Sequence, residues 1–257
     1  MRLSEIQGFE DLDLFFVKFS NEKKHLESLR DGSLYMNNLR YYVELEKKTG
    51  IKGMGDVLEA SNVVNNVSLK FYHHGTDLLA FETEAKSMQI RFEETLDKPV
   101  FCLLSVKPDM LEVTKMEHNC IDAKLVFTHE QKDKILREFG NFALVIPWKP
   151  FTDKVFDALK AKGYQAVGDF VRYSDFSVNL SERMESFNKQ DADMFFWKDV
   201  AFEYQREFRI VILNENIDDP LIVEFESIRD RTMLLTTEEL LTGDYGIKIQ
   251  SRTSEQK

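Results

Sequence analysis

The sequence predicts an α+β fold built mainly from antiparallel, split β-sheets with flanking helices. Segments in which apolar and polar residues alternate outnumber segments with helical spacing. The two kinds do not follow one another in regular βαβ order, which argues against a parallel sheet. "SLKFYHH" and "LLAFETE" are joined by "GTD", a hairpin signature of turn residues between two alternating runs. The 257 residues contain five prolines, eleven glycines and no Ser/Gly/Pro-rich linker. A single domain over 1–249 with a frayed tail over 250–257 is therefore expected.

Residues 13–20, "DLFFVKFS", predict a strand, followed by a helix that Ser20 or Asn21 caps and Gly32 ends. "SLYMN" is the next strand. Residues 43–66, with Gly50, Gly53 and Gly55, are expected to form a loop that carries Asp56 and Glu59. After the hairpin, "SMQIRFE" and "PVFCLLSV" are expected as further hairpin partners. Thr128 and Gln131 have capping-box spacing before a helix over 129–139, and Gly140 closes it. "FALVIPW" predicts a strand. Phe151, Val155, Phe156 and Leu159 predict a helix that stops at Gly163. "AVGDFVRYS" predicts a strand and 178–196 a helix. "LIVEFES" and "TMLLT" are expected strands, with "TEELL" a short helix between them and the tail.

A hydrophobic share of 43% with 21 Phe supports a substantial core. The net charge of −11 disfavours sequence-independent nucleic-acid binding and attachment to anionic membranes, both of which need a positive footprint. Any nucleic-acid contact would rest on a local patch, with Lys23, Lys24, Arg30 and Arg40 as its candidates. Cys102 and Cys120 form neither a disulfide framework nor a CxxC pair. The N-terminus lacks a signal-peptide pattern, and no apolar run approaches the ~20 residues of a membrane span. A cytoplasmic protein with no membrane partner is the expectation.

The richest polar stretch is "EYQREFRIVI", residues 203–212. As a strand it places Glu203, Gln205, Glu207 and Arg209 on one face and Tyr204, Phe208, Ile210 and Ile212 towards the core, with Arg206 interrupting. That polar face is either solvated or the wall of a cleft. His73 and His74, in "HHGT", are adjacent in sequence and face opposite ways on a strand, so no metal site is expected there, and Gly75 and Asp77 explain themselves as turn residues. His25 and His118 have no evident partners, and His129 follows the Thr128 cap. P-loop, GxGxxG, GxSxG and HExxH motifs are absent.

"FVKFSNEKKHLESLRDGSLYMN" resembles the opening of ADP-ribosyltransferase-fold domains: a strand ending in a polar residue, a three-turn helix with Leu26, Leu29 and Gly32, and a second strand with an aromatic near its start. Such domains carry a catalytic glutamate on a late strand in an ExE or QxE pair, matched here by "QRE", Gln205 to Glu207. "LYMNNLRYYVELE", "GD..E" at 55–59, "F..KVFDALKAKGY", "V.Y" and "EYQREFRI" with Lys198 shortly upstream follow in the order of an uncharacterised bacterial and phage domain family to which the chain is similar. The resemblance covers roughly 13–60 and 140–213.

The resemblance implies an ADP-ribosyltransferase-like fold that uses NAD as substrate and transfers ADP-ribose to a macromolecular acceptor, RNA, DNA or protein. Such an enzyme would serve as a toxin or effector in conflict between bacteria and phages, with an antitoxin protein covering its cleft. It implies Glu207 as the carboxylate that stabilises the oxocarbenium-like ribose, and Gln205 as the group that orients the acceptor. It places NAD against Lys18, Phe19 and Ser20, with Tyr35 stacking on nicotinamide and Asn37 and Tyr42 beside it. Asp56, Glu59 and Arg209 would wall the substrate cleft. Lys18 stands where the family has His or Arg, and a lysine offers only a point charge. The alternative is a non-catalytic module that holds a nucleotide or a partner chain in the same cleft.

Overall fold

A computed structural model describes residues 1–250 other than 11, 51, 52, 54, 118, 119 and 244. His118 and residues 251–257 of the tail expected over 250–257 lie outside the described residues, and Gln250 is no tail residue but the end of a strand, Gly246–Gln250. The strands are β1 (Phe15–Ser20), β2 (Ser33–Asn38), β3 (Ser61–Tyr72), β4 (Leu79–Arg91), β5 (Pro99–Val106), β6 (Leu111–Glu117), β7 (Cys120–Leu125) and β8 (Phe142–Pro147). They continue with β9 (Ala166–Phe170), β10 (Arg172–Ser174), β11 (Trp197–Asp199), β12 (Glu207–Ile212), β13 (Leu221–Glu224), β14 (Met233–Thr236) and β15 (Gly246–Gln250). The helices are α1 (Lys23–Asp31), α2 (Leu39–Thr49), α3 (His129–Glu138), α4 (Trp148–Ala161), α5 (Ser181–Lys189) and α6 (Thr237–Thr242).

The fold is mixed α+β with mostly antiparallel sheets; the short β10–β11 pair is parallel. The principal sheet runs β13-β2-β5-β1-β8-β14, and β12 and then β9 join along the opposite edge of β5. β5 is the organising strand because one of its edges is shared. β1 pairs with it at Leu104–Val106 and β2 at Val100 and Pro99. β1 and β2 therefore diverge, and Phe101, Cys102 and Leu103 are left facing a notch between them while β12 pairs with Val100–Leu104 behind.

Alternation of side chains across β5 and β12 separates two faces. Phe101, Leu103, Phe208, Ile210 and Ile212 join Phe16, Leu26 and Leu29 of α1, and Phe151, Val155 and Leu159 of α4, in one core, where the Phe16 and Phe208 rings stack at 4.7 Å. Cys102 and Val211 belong to another cluster with Leu39 and Val43 of α2 and with Phe195 and Phe196. The 129–139 helix and the hairpin at 75–77 form as the sequence predicts, with the Thr128–Gln131 capping box in place; "PVFCLLSV" is a strand but no hairpin partner, since β5 pairs with the distant β1, β2 and β12.

Other expectations need correction. Residues 43–66 are not one loop: α2 runs to Thr49 and β3 starts at Ser61. The Asn38 side chain caps α2 through the Tyr41 amide at 2.9 Å, and Leu39, Val43 and Glu46 point inward at helical spacing. α1 begins at Lys23 with no side-chain cap; Ser20 Oγ instead accepts from the Glu22 amide at 3.1 Å. "SMQIRFE" is no separate partner but supplies the C-terminal end of a 13-residue β4, which with β3 makes a long, largely exposed hairpin. The expected helix over 178–196 is α5 alone, ended by Gln190 in the left-handed conformation and followed by a 3-10 turn at Ala192–Phe196. "AVGDFVRYS" breaks at Val171 into β9 and β10. The strand expected over 203–212 starts at Glu207, because Val200–Gln205 is a 3-10 turn capped by Asp199 and ended by Arg206 at φ 45°.

Gly32 ends α1 at φ 103°, and a Cβ there would run into the Phe225 carbonyl of the segment that follows β13. The Phe225 amide donates to Gly32 O at 2.7 Å, so neither segment has room to yield. Gly32→Ala is expected to destabilise the protein by about 2 kcal/mol or more and to lower Tm by roughly 4–8 °C, read by thermal denaturation.

Candidate active site in the notch of the sheet

The notch opens into a cavity of about 550 Å³. Lys18, Phe19 and Ser20 of β1 line one wall, Tyr35 and Asn37 of β2 and Tyr42 of α2 another, and Glu207 and Arg209 of β12 the back. Gln205 and Glu59 complete the wall, together with Lys198 of β11. Ten of the eleven residues singled out from the sequence thus share one cavity. Asp56 does not line it; it is buried behind, near Glu59.

Behind the notch lies a buried ion cluster. Arg209 Nε donates to Glu207 Oε1 at 2.7 Å, and its Nη1 and Nη2 meet both oxygens of Glu59 at 2.9 Å. Nη1 also donates to the Phe195 carbonyl at 2.7 Å. Lys198 Nζ donates to Glu207 Oε2 at 2.8 Å and to Gln205 Oε1 at 3.0 Å, and stands 3.4 Å from Glu59 Oε1. Glu59, Lys198, Glu207 and Arg209 are each 5% exposed or less, so the polar face of 207–209 is neither solvated nor free. Glu203, by contrast, is exposed on the 3-10 turn.

The charge states follow from this packing. Burial opposes ionisation of Glu207, but Arg209 and Lys198 outweigh it and hold the carboxyl far below its ordinary range. Burial likewise opposes the Lys198 ammonium, and the Glu207 and Glu59 carboxylates override it, raising its pKa well above the usual lysine value. The cluster is thus two cations and two anions. Cys102 lies on β5 directly opposite Arg209, and burial, with Glu207 adding, pushes its thiol up to about 12, so it is no thiolate nucleophile. Tyr173 fixes the start of β12 by accepting the Glu207 amide at 2.9 Å.

Lys18 does not snorkel to the surface. Its ammonium crosses the notch to the Cys102 carbonyl at 2.8 Å and lies 4.4 Å from the Phe101 ring centre. Among the described residues no carboxylate lies within ion-pair distance of it. Burial lowers its pKa, with Glu207 opposing from a distance. Tyr35 is exposed on the rim, and Ser20 Oγ lies 3.3 Å from His25 Nδ1 at the mouth. Gln205 is fully used: its Nε2 donates to Gly53 O at 2.7 Å while its Oε1 receives Lys198. Its carboxamide therefore braces the wall. Sequence reasoning gave Lys198 no role in the site: the lysine upstream of "EYQREFRI" entered only as part of the family pattern.

The candidate basic patch is largely neutralised. Lys24 pairs with Glu22, Arg30 with Glu27, and Arg40 with Asp97 and Glu93. Among the described residues no group of three or more His, Cys, Asp or Glu is placed to hold a metal ion, and no helix is long and apolar enough to cross a membrane. In comparisons with known proteins, no family model, no curated protein and no solved structure matches the chain.

Asp56 is raised to about 7 by burial, with Glu59 adding to the effect, while its carboxylate accepts from the Leu58 amide at 2.8 Å. An unfolded aspartate titrates near ~3.9, so the folded state favours the protonated form. The stability contributed by that proton is full below the unfolded value and is lost as the pH rises through about 7. Asp56→Asn keeps an acceptor for Leu58 and removes the titration. The variant is expected to gain up to about 4 kcal/mol over the wild type near pH 8 and nothing near pH 4, as read by melting curves across that range. Parallel curves for the two proteins would refute this assignment.

Proposed function

We propose that the protein is an NAD-dependent ADP-ribosyltransferase with an ADP-ribosyltransferase-like fold. The observation that carries this reading is the position of Glu207: an ionised carboxylate at the start of a late strand, facing a nucleotide-sized cavity where the first two strands of the sheet part. A cavity of about 550 Å³ is within the range that accommodates a cofactor-sized ligand. Lys18, without a carboxylate partner among the described residues, suits a phosphate, and Tyr35 and Tyr42 offer aromatic surface to a nicotinamide or adenine ring.

In the proposed reaction the bond between nicotinamide nitrogen and ribose C1 breaks, and nicotinamide leaves with the electron pair. The ribose becomes oxocarbenium-like, with Glu207 as the fixed negative charge beside it. The acceptor nucleophile bonds to C1 and releases its proton to solvent water, so that ADP-ribosylated acceptor, neutral nicotinamide and a proton are the products. Because the Gln205 amide is spent on Lys198 and Gly53, the acceptor would be oriented by groups at the rim. Acceptor classes are protein, RNA and DNA, and the physiological setting is that of a toxin or effector with a cognate antitoxin.

The test is label transfer from NAD to candidate RNA, DNA and protein acceptors. Glu207→Gln is expected to lower transfer by about 10²–10³-fold; equal transfer by both proteins would remove Glu207 from the mechanism. One observation favours a second reading: both Glu207 oxygens are engaged by cations, as in a static wall of a binding module. On that reading NAD stabilises the fold, by about 2.7 kcal/mol at ~100 times its Kd, but no label is transferred.

A further inference from the structure

We infer that Lys198 is a latch on Glu207: in the ligand-free site it occupies the carboxylate oxygen that the substrate ribose needs, and substrate binding transfers it to Glu59. The inference rests on the transferase reading and concerns the regulation of that site. Glu207 Oε1 is committed to Arg209, a contact built into β12 because residues 207 and 209 lie on the same face of the strand. Oε2 is held by Lys198 at 2.8 Å. A ribose hydroxyl entering from the cavity to donate to Oε2 competes with that ammonium for the oxygen.

The alternative partners for Lys198 are already in place. Glu59 Oε1 stands 3.4 Å away and Gln205 Oε1 holds the ammonium at 3.0 Å, so a shift of less than ~1 Å closes the Glu59 contact at ordinary hydrogen-bond length and leaves no charge stranded. Gln205 is anchored by its other end to Gly53 O, which keeps its carbonyl aimed at the ammonium through the exchange. The exchange changes what Glu207 does. With Lys198 bound, the carboxylate is balanced by two cations and offers little net field to a developing positive charge. With Lys198 on Glu59, Oε2 is free to accept the ribose hydroxyl, and the ammonium, slightly farther off, offsets less of the negative charge that faces the developing oxocarbenium. Lys198 is thus a positioning residue, acting through Glu207.

Removing Lys198 alone would strand a buried anion, so the test is the charge-balanced double variant Lys198→Met/Glu59→Gln, with Lys198→Gln as a milder companion and Glu207→Gln alongside. Each is measured for NAD affinity by calorimetry and for KM and kcat by label transfer. A latch lowers apparent affinity by the fraction of molecules in which it is open. The double variant is expected to bind NAD about five- to tenfold more tightly and to lower KM by a similar factor, with Lys198→Gln shifting the same way by less. Unchanged or weaker NAD binding in a cooperatively melting variant overturns the latch. A second measurement uses the wild type: a structure with ADP-ribose bound should place Lys198 Nζ on Glu59, and an ammonium still on Glu207 Oε2 overturns the inference. Wild-type transfer by Glu207→Gln would fell the transferase reading and the latch together. An inactive Glu207→Gln beside an unaltered affinity in the double variant would fell the latch alone.

Discussion

The interaction on which the site depends is the buried pairing of Arg209 with Glu59 and Glu207, completed by Lys198. Four charges out of water are tolerated because every one has an opposite partner and nearly every polar atom has a hydrogen bond. Loss of one member costs ~3–5 kcal/mol, since it leaves a charge buried without compensation. The cluster also fixes geometry. Glu59 comes from the segment before β3, Lys198 from β11, the carbonyl of Phe195 from the preceding 3-10 turn, and Glu207 with Arg209 from β12. A bidentate guanidinium–carboxylate contact holds these segments in one register as a looser lysine pair would not.

The second constraint is the shared edge of β5. Once β1 and β2 separate, the Cys102 carbonyl lacks a strand partner on that side, and the Lys18 ammonium supplies one. The same residue thereby caps a backbone group and brings a positive charge to the cavity. The split itself is held open from both ends, by Phe16 stacked on Phe208 beneath α1 and α4, and by Leu39 and Val43 of α2 packed with Phe195 and Val211. Cavity and core are therefore built by the two faces of the same strands, so changes in packing on one side are felt in the shape of the other.

Most of the elements were legible wherever a local rule was strong. The capping box at Thr128, the left-handed Gly32, the turn at Gly75 and the apolar spacing of α4 each act within a few residues, and each formed as the pattern required. Misreadings arose where distant contacts decide. α2 was hidden because its apolar stripe is broken by charged residues and its Glu46 is buried, satisfied by the Val57 amide eleven residues on. The 3-10 turn before Glu207 was hidden because perfect alternation in "EYQRE" mimics a strand, whereas Arg206 takes a left-handed backbone and its carbonyl accepts from Ser105 of β5.

By itself the sequence determined the α+β class, the alternation that sets Glu207 and Arg209 on one face, and the polar character of that face, because side-chain direction along a strand has period two whatever surrounds it. Only the tertiary structure decided that this face is dry, that Lys198 arrives from β11 to meet it, and that Gln205 is consumed in bracing rather than free. Burial and ion pairing are properties of segments brought together across 150 residues, as between Glu59 and Arg209, and no local pattern encodes which charges will meet once water is excluded.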